Sequence, residues 1–136
     1  MSRVRLGYFA AFKSRDTLLM ESDAAGLVKL AALLREIAAG ERGSLDLHDL
    51  PLFVVHGAVR VTTARTEQDC GTRRINPGTS FAWERSAPGW HLAADMLGSL
   101  AEPGGPCHQY LDADADEVVV QVSKGEYGDA WWLARA

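Results

Sequence analysis

The chain has 136 residues, of which 47% are hydrophobic and 24% are charged, and its formal net charge at pH 7 is −4. This length fits one domain, because single cores of about 100–150 residues are the commonest size. The composition excludes a disordered chain, and no stretch approaches the roughly 20 apolar residues of a membrane-spanning helix. Nucleic-acid binders normally carry a basic surplus. We therefore expect a single domain, residues 1–136, that binds neither nucleic acid nor membrane.

The N-terminal residues alternate between polar and apolar from Arg3 onward and contain no apolar core of a secretory signal. The chain has two cysteines, Cys70 and Cys107, which do not imply a disulfide framework. No catalytic motif flanks Cys70. We expect a reduced, cytoplasmic protein without a disulfide.

The first half of the chain has the patterns of two strands, a helix and two further strands. Ser22 or Asp23 can cap a helix near residues 24–39, because either side chain accepts hydrogen bonds from free backbone N–H groups. The apolar stripe of this helix consists of Leu27, Leu30, Ala31, Leu34 and Ala38. The strands are predicted from alternating apolar residues or short apolar runs at residues 4–8, 18–21, 45–48 and 59–62.

The second half begins after residues 65–80, which hold no periodic apolar residues and are predicted to form a loop. Ser86 is a candidate cap for a helix near residues 88–101, in which Pro88 is tolerated in the first turn. An acidic turn joins the last two strands. The three strands of this half are predicted at residues 81–84, 108–111 and 118–122.

The two halves align at a constant offset of 63 residues, which places Leu34 on Leu97. Any two amphipathic helices match at apolar positions, but here strand, cap, helix and following strand agree without a gap. The sequence therefore predicts two pseudo-repeated βαββ halves, residues 1–64 and 81–136. The expected fold is α+β, with one antiparallel sheet that carries both helices on one face. The predicted core includes Leu30, Leu34, Leu97 and Val120.

A candidate calcium loop begins at Asp112 and continues with Asp114, Asp116 and Glu117. The EF-hand pattern needs Gly at its sixth position and a carboxylate at its twelfth. Those positions hold Glu117 and Ser123, so the pattern fails. We expect a solvated hairpin turn here, and neither a bound metal nor a cofactor.

Two histidines, His48 and His108, and two glutamates, Glu21 and Glu84, suggest a metal enzyme as the alternative to a binding protein. Tandem βαβββ metal enzymes of the vicinal-oxygen-chelate type place such ligands on strands of both halves. Glu21 and Glu84 occupy matching positions before the helices, but His48 aligns with Leu111 rather than with His108. Each half is also one strand short. A small-ligand or metal-dependent enzyme of this type remains the alternative to a binding protein.

The C-terminal residues combine carboxylates with aromatic side chains. Two adjacent tryptophans, at 131 and 132, would point to opposite faces if they lay in a strand. Aromatic side chains supply buried anchors in protein interfaces, and carboxylates attract a basic partner. Both tryptophans could instead cover the end of the sheet core. The candidate contact surface consists of Glu126, Tyr127, Asp129 and Trp132.

Residues 108–112, 118–120 and 123–127, with a Leu/Ala-rich helix opened by Gly26 and Leu27, resemble a class of small stand-alone bacterial α+β proteins. Some of these are immunity proteins of polymorphic toxin systems, and many have no assigned function. The resemblance implies a non-enzymatic, toxin-neutralising binding protein, and it carries no catalytic residues. An acidic surface would steer such a protein towards a basic protein partner. It leaves open whether the protein is a monomer or a homodimer.

Overall fold

The computed structural model describes residues 2–75, 78–111 and 117–135. Within these residues the chain forms nine strands, three α-helices and one short 3-10 helix, Leu47–Asp49. The strands are β1 (Val4–Phe12), β2 (Arg15–Ser22), β3 (Leu45–Asp46), β4 (Phe53–Val55), β5 (Arg60–Arg65), β6 (Gly71–Arg74), β7 (Ser80–Arg85), β8 (Cys107–Tyr110) and β9 (Val119–Lys124). The helices are α1 (Ala24–Ala39), α2 (Ala87–Ala101) and α3 (Asp129–Ala134).

The two longer helices lie where the sequence places them, and their ends follow from local hydrogen bonding. Asp23 Oδ1 accepts a hydrogen bond from the Gly26 N–H at 2.9 Å, which caps α1. Ser86 Oγ accepts one from the Gly89 N–H at 3.2 Å, which caps α2. Helix α1 ends at Gly40, whose φ of 75° lies in the left-handed region that Gly adopts without strain.

The strands form two sheets rather than the single antiparallel sheet that was predicted. One has five strands in the order β4-β1-β2-β9-β8, and the other has four in the order β3-β5-β7-β6. The pairs β1–β4, β2–β9 and β5–β7 are parallel. The prediction of antiparallel pairing alone is therefore wrong. Alternating side chains reveal a strand but not its direction, because the side-chain period is two residues in both kinds of pairing.

The predicted repeat is not confirmed by the strand pairing. A strand, a cap and a helix do recur, as β2 with α1 and as β7 with α2. However, β9 pairs with β2 in the five-stranded sheet, and β5 pairs with β7 in the four-stranded sheet. Each sheet thus mixes strands from the two predicted halves.

The predicted loop at residues 65–80 contains a strand, β6, which pairs antiparallel with β7. Its sequence, Gly-Thr-Arg-Arg, has no apolar alternation, so periodicity could not reveal it. The acidic turn falls mainly outside the described residues. Asp112, Asp114 and Asp116 are not described, and Glu117 is exposed.

Helices α1 and α2 pack on each other and against strands of both sheets, which together form one hydrophobic core. The predicted core residues Leu30, Leu34, Leu97 and Val120 are all fully buried, as expected. No helix in the described part of the chain is both long and apolar enough to span a membrane.

The five-stranded sheet is also covered on its other face, which we call the outer face. Val120 and Val122 of β9 belong to the core on the helix side, whereas Val119 and Gln121 belong to the opposite face, and all four are buried. The cover comes from residues 125–135, which we call the C-terminal segment and which include α3. The two adjacent tryptophans therefore lie in a short helix and not in a strand.

Candidate functional site

A row of polar residues crosses four neighbouring strands on the outer face. The strand register places Arg5 of β1 beside Glu21 of β2, Glu21 beside Ser123 of β9, and Ser123 beside His108 of β8. We call these four residues the polar row. The C-terminal segment lies over them, so residues from distant parts of the sequence meet there.

Glu21 is the carboxylate of the polar row that ties the C-terminal segment to the sheet. Only 6% of the residue is exposed. Its Oε2 accepts a hydrogen bond from the Tyr127 backbone N–H at 2.5 Å, and its Oε1 accepts one from Trp132 Nε1 at 2.8 Å. Burial raises the pKa of Glu21 above its ordinary value, although these two hydrogen bonds, a third from the Glu126 backbone and the charge of Arg5 oppose the rise.

Trp132, one of the four predicted contact residues, is fully buried against the sheet. A Cβ atom placed on Gly7 would lie 3.0 Å from its Cζ3, so the absence of a side chain at Gly7 makes room for the indole. The His56 ring lies 4.7 Å from the Trp132 ring, centroid to centroid. Burial and then the charge of Arg5 lower the pKa of His56. In this arrangement Trp132 is a packing residue, which was the alternative that the sequence left open.

The other three predicted contact residues are more accessible. Asp129 has 83% of its side chain exposed and forms an ion pair with Arg5. Tyr127 is half-buried, and its ring centroid lies 4.5 Å from that of Trp131. Glu126 is half-buried and faces His108. The structure thus places all four residues in one segment, with Trp132 directed inward and the other three at or near the surface.

Glu126 is the centre of a hydrogen-bond network that includes two members of the polar row. His108 Nδ1 lies 3.0 Å from both of its carboxylate oxygens, and Ser123 also hydrogen-bonds to it. Gln121 Nε2 donates in turn to Ser123 Oγ at 3.0 Å. Burial raises the pKa of Glu126, but the hydrogen bonds from His108 and Ser123, together with electrostatic attraction from His108 and Lys13, outweigh it, so the pKa lies below its ordinary value.

A cleft of about 740 Å³ lies beside the polar row, where the starts of β1 and α1, the end of α2 and the C-terminal segment meet. We call it the acidic cleft. Its walls carry the carboxylates of Glu21, Asp23, Glu102 and Asp129 and the cations of Arg3, Arg5 and Lys124. The predicted contact residues Tyr127 and Asp129 line it, whereas Glu126 does not.

The three cations of the acidic cleft already have partners within the protein. Arg3 Nη2 donates to the Phe53 carbonyl oxygen at 3.1 Å, and Lys124 Nζ donates to the Glu102 carbonyl oxygen at 2.7 Å. Arg5 pairs with Asp129. By contrast, no hydrogen bond or ion pair within the described residues involves the Glu102 carboxylate. Glu102 is thus the carboxylate of the cleft that is left for a molecule that enters it.

The four residues suggested as metal ligands do not come together. Glu21 and His108 lie in the polar row with Ser123 between them. Glu84 lies on the four-stranded sheet, where its Oε1 is 3.1 Å from Arg73 Nη1. His48 lies in the 3-10 helix, outside the four strands that carry the polar row.

One group of three side chains within the described residues is close enough to share an ion, namely Asp46, His48 and Asp49. His48 Nδ1 accepts a hydrogen bond from the Val61 N–H at 3.0 Å, so a neutral ring carries its proton on Nε2. A cation at Nε2 would require a ring that had lost both protons. This group does not fit a metal ion while that hydrogen bond persists.

Sequence patterns did not identify Arg5, Ser123 or Gln121 as members of a site. Gln121 offered the clearest indication, since it is the polar residue within the apolar run of β9. Such a residue is buried only if it has hydrogen-bond partners.

No model of a known protein family, no curated protein and no solved structure matches this chain.

Proposed function

We propose that this protein is a non-enzymatic binding module that takes a basic segment of a protein partner into the acidic cleft. The observation that carries the proposal is which charged groups of the acidic cleft already have partners within the protein. Arg3, Arg5 and Lys124 are bonded to groups of the protein itself. The exposed Glu102 carboxylate has no partner among the described residues, and the Asp129 side chain remains 83% exposed although it pairs with Arg5. Lysine or arginine side chains of a partner complement such a surface and are attracted to it before contact.

Aromatic side chains continue the surface beyond the cleft. The rings of Phe9, Phe12, Tyr127 and Trp131 contact one another at centroid distances of 4.5–6.1 Å, and each of these residues is only partly buried. Partly buried aromatic side chains become strong anchors when a partner covers them. The surface therefore combines acidic attraction with apolar contact area, as the predicted binding role requires.

The resemblance to immunity proteins fits this proposal. In such a role the partner is a toxin, and nucleic-acid-degrading toxins are basic where they hold their substrate. An acidic surface would cover that region and block it. The enzymatic alternative has less support, because its suggested metal ligands do not converge in the described residues. Its small-ligand version keeps one supporting observation, a second cleft beside Gln121.

The test is affinity capture from the cell that produces the protein, followed by titration calorimetry with the identified partner. The double variant Asp129→Asn, Glu102→Gln removes two charges from the acidic cleft. We expect it to weaken binding about tenfold, and we expect added salt to reduce the difference between it and the wild type. The partner should be basic.

The matched control is the double variant Asp95→Asn, Glu117→Gln. Asp95 forms an exposed ion pair with Arg35, just as Asp129 does with Arg5, and Glu117 is exposed. This control should bind like the wild type. The proposal is wrong if both double variants bind equally well, or if the captured partner is acidic.

A further inference from the structure

A second cleft, of about 280 Å³, lies between the tip of the β1–β2 hairpin and strands β8 and β9. It shares no lining residue with the acidic cleft. We call it the amide cleft after Gln121, which lines it. Its other lining residues are Phe12, Lys13, Arg15, Thr17, Tyr110 and Val119.

Gln121 is fully buried, and its Oε1 has no hydrogen-bond partner among the described residues. The orientation of this amide follows from the network around Glu126. The Ser123 hydroxyl has one proton and donates it to the Glu126 carboxylate, so Ser123 Oγ accepts from Gln121 Nε2. Oε1 is therefore the amide atom without a partner, and it belongs to a residue that lines the cleft. Buried acceptors without a partner are rare in folded proteins.

The hairpin tip supplies a cation and an aromatic ring to the same cleft. Lys13 is exposed, and its Nζ lies 5.6 Å from the centroid of the Phe12 ring. Lys13 and Ser14 have φ of 49° and 72°, a conformation that residues other than Gly rarely adopt. The Ala11 N–H donates to Asp16 Oδ1 at 3.0 Å and helps to hold the turn.

We propose that the amide cleft binds a small aromatic carboxylic acid that carries an O–H or N–H donor beside its carboxylate. The donor group gives its proton to Gln121 Oε1. The carboxylate pairs with Lys13, and the ring packs against Phe12, Tyr110 and Val119. The volume corresponds to about nine water molecules at their liquid volume of about 30 Å³ each, which accommodates an acid with one six-membered ring.

The first test compares mandelate with phenylacetate by titration calorimetry on the full chain. The two acids have the same ring and carboxylate, and only mandelate has an α-hydroxyl donor. We expect mandelate to bind about tenfold more tightly, because phenylacetate leaves Gln121 Oε1 without a partner. Equal affinities would overturn the proposal, and so would the absence of binding by both acids at millimolar concentration.

The second test uses variants of Lys13 and Gln121. Lys13→Met should weaken both acids by a similar factor, whereas Lys29→Met, which removes an exposed cation from α1, should change neither. Gln121→Leu should abolish the preference for mandelate. If Gln121→Leu does not fold, two comparisons still test the proposal. They are mandelate against phenylacetate, and Lys13→Met against Lys29→Met. Unchanged binding by Lys13→Met would overturn the proposal.

Discussion

Glu21 illustrates how one residue joins two distant parts of this chain. It ends a short apolar run in β2, and its two carboxylate oxygens accept hydrogen bonds from Tyr127 and Trp132 of the C-terminal segment. The carboxylate has lost most of its hydration, and the hydrogen bonds only partly compensate for this loss. Its pKa is therefore raised in the folded protein.

The raised pKa of Glu21 gives a predicted pH dependence of stability. The folded protein binds this proton more tightly than the unfolded chain does. The stabilising contribution is therefore fully present below the ordinary pKa of 4.5 and is lost as pH rises through the raised pKa. In Glu21→Gln this titration is absent. The quantity to follow is the difference between two free energies of unfolding, that of the wild type minus that of Glu21→Gln. We expect this difference to fall as pH increases from about 4 to about 7.

Urea unfolding of both proteins across that pH range measures this difference, and titrations common to both cancel in it. Gln can accept only through Oε1, so the variant is expected to be less stable throughout. The sign of the slope is the decisive quantity. A difference that stays constant or rises with pH would show that burial does not control the ionisation of Glu21.

The C-terminal segment is the element that depends most on tertiary contacts. Helix α3 has six residues, which is too short for a stable isolated helix in water. Its position is fixed by the insertion of Trp132 against Gly7 and by the hydrogen bond from Trp132 Nε1 to Glu21. Access to the predicted contact residues Tyr127 and Asp129 thus depends on how Trp132 packs.

Gly7→Ala tests this packing. The new Cβ would lie 3.0 Å from Trp132 Cζ3 and 3.0 Å from Phe9 Cε2, so both rings must move. We expect the free energy of unfolding to fall by about 1–3 kcal/mol, as in other overpacked sites. Tryptophan near-UV circular dichroism should change as well.

Gly43→Ala is the matched control for that substitution, because nothing lies within 4 Å of a Cβ placed there. It should change the free energy of unfolding by no more than about 0.5 kcal/mol. If Gly7→Ala were equally neutral, Trp132 would not pack on β1 as described.

At the scale of the whole molecule, two mixed sheets share one core with the helix pair. The parallel pairing of β2 with β9 brings the second and the last strand of the described chain side by side. This pairing places Ser123 beside Glu21, so the polar row exists only in the assembled sheet. The core and the site therefore depend on the same long-range contacts.

Leu34 tests the shared core, because it is fully buried in α1. Leu34→Ala should lower the free energy of unfolding by about 2–5 kcal/mol, through lost apolar contact and a residual cavity. Val28→Ala is the control on the same helix, since Val28 is 58% exposed and should lose little. Urea unfolding midpoints measure both effects. A negligible change for Leu34→Ala would mean that α1 presents a different face to the core.

Local sequence patterns were enough to predict the two long helices, their caps and the core positions Leu34 and Leu97. Capping and 3.6-residue periodicity are local properties, so a single chain segment contains all the necessary information. The sequence also located Tyr127 and Asp129 in an accessible acidic and aromatic segment. It did not show β6, whose residues lack apolar alternation.

The division into two sheets, the parallel pairs and the inward direction of Trp132 arise from long-range contacts. Strand order depends on contacts between residues far apart in the sequence, and alternation is the same for either strand direction. The hydrogen-bond partners of Glu126, which are His108 and Ser123, come from two different strands. Their convergence results from packing the C-terminal segment on the outer face, and no local pattern encodes it.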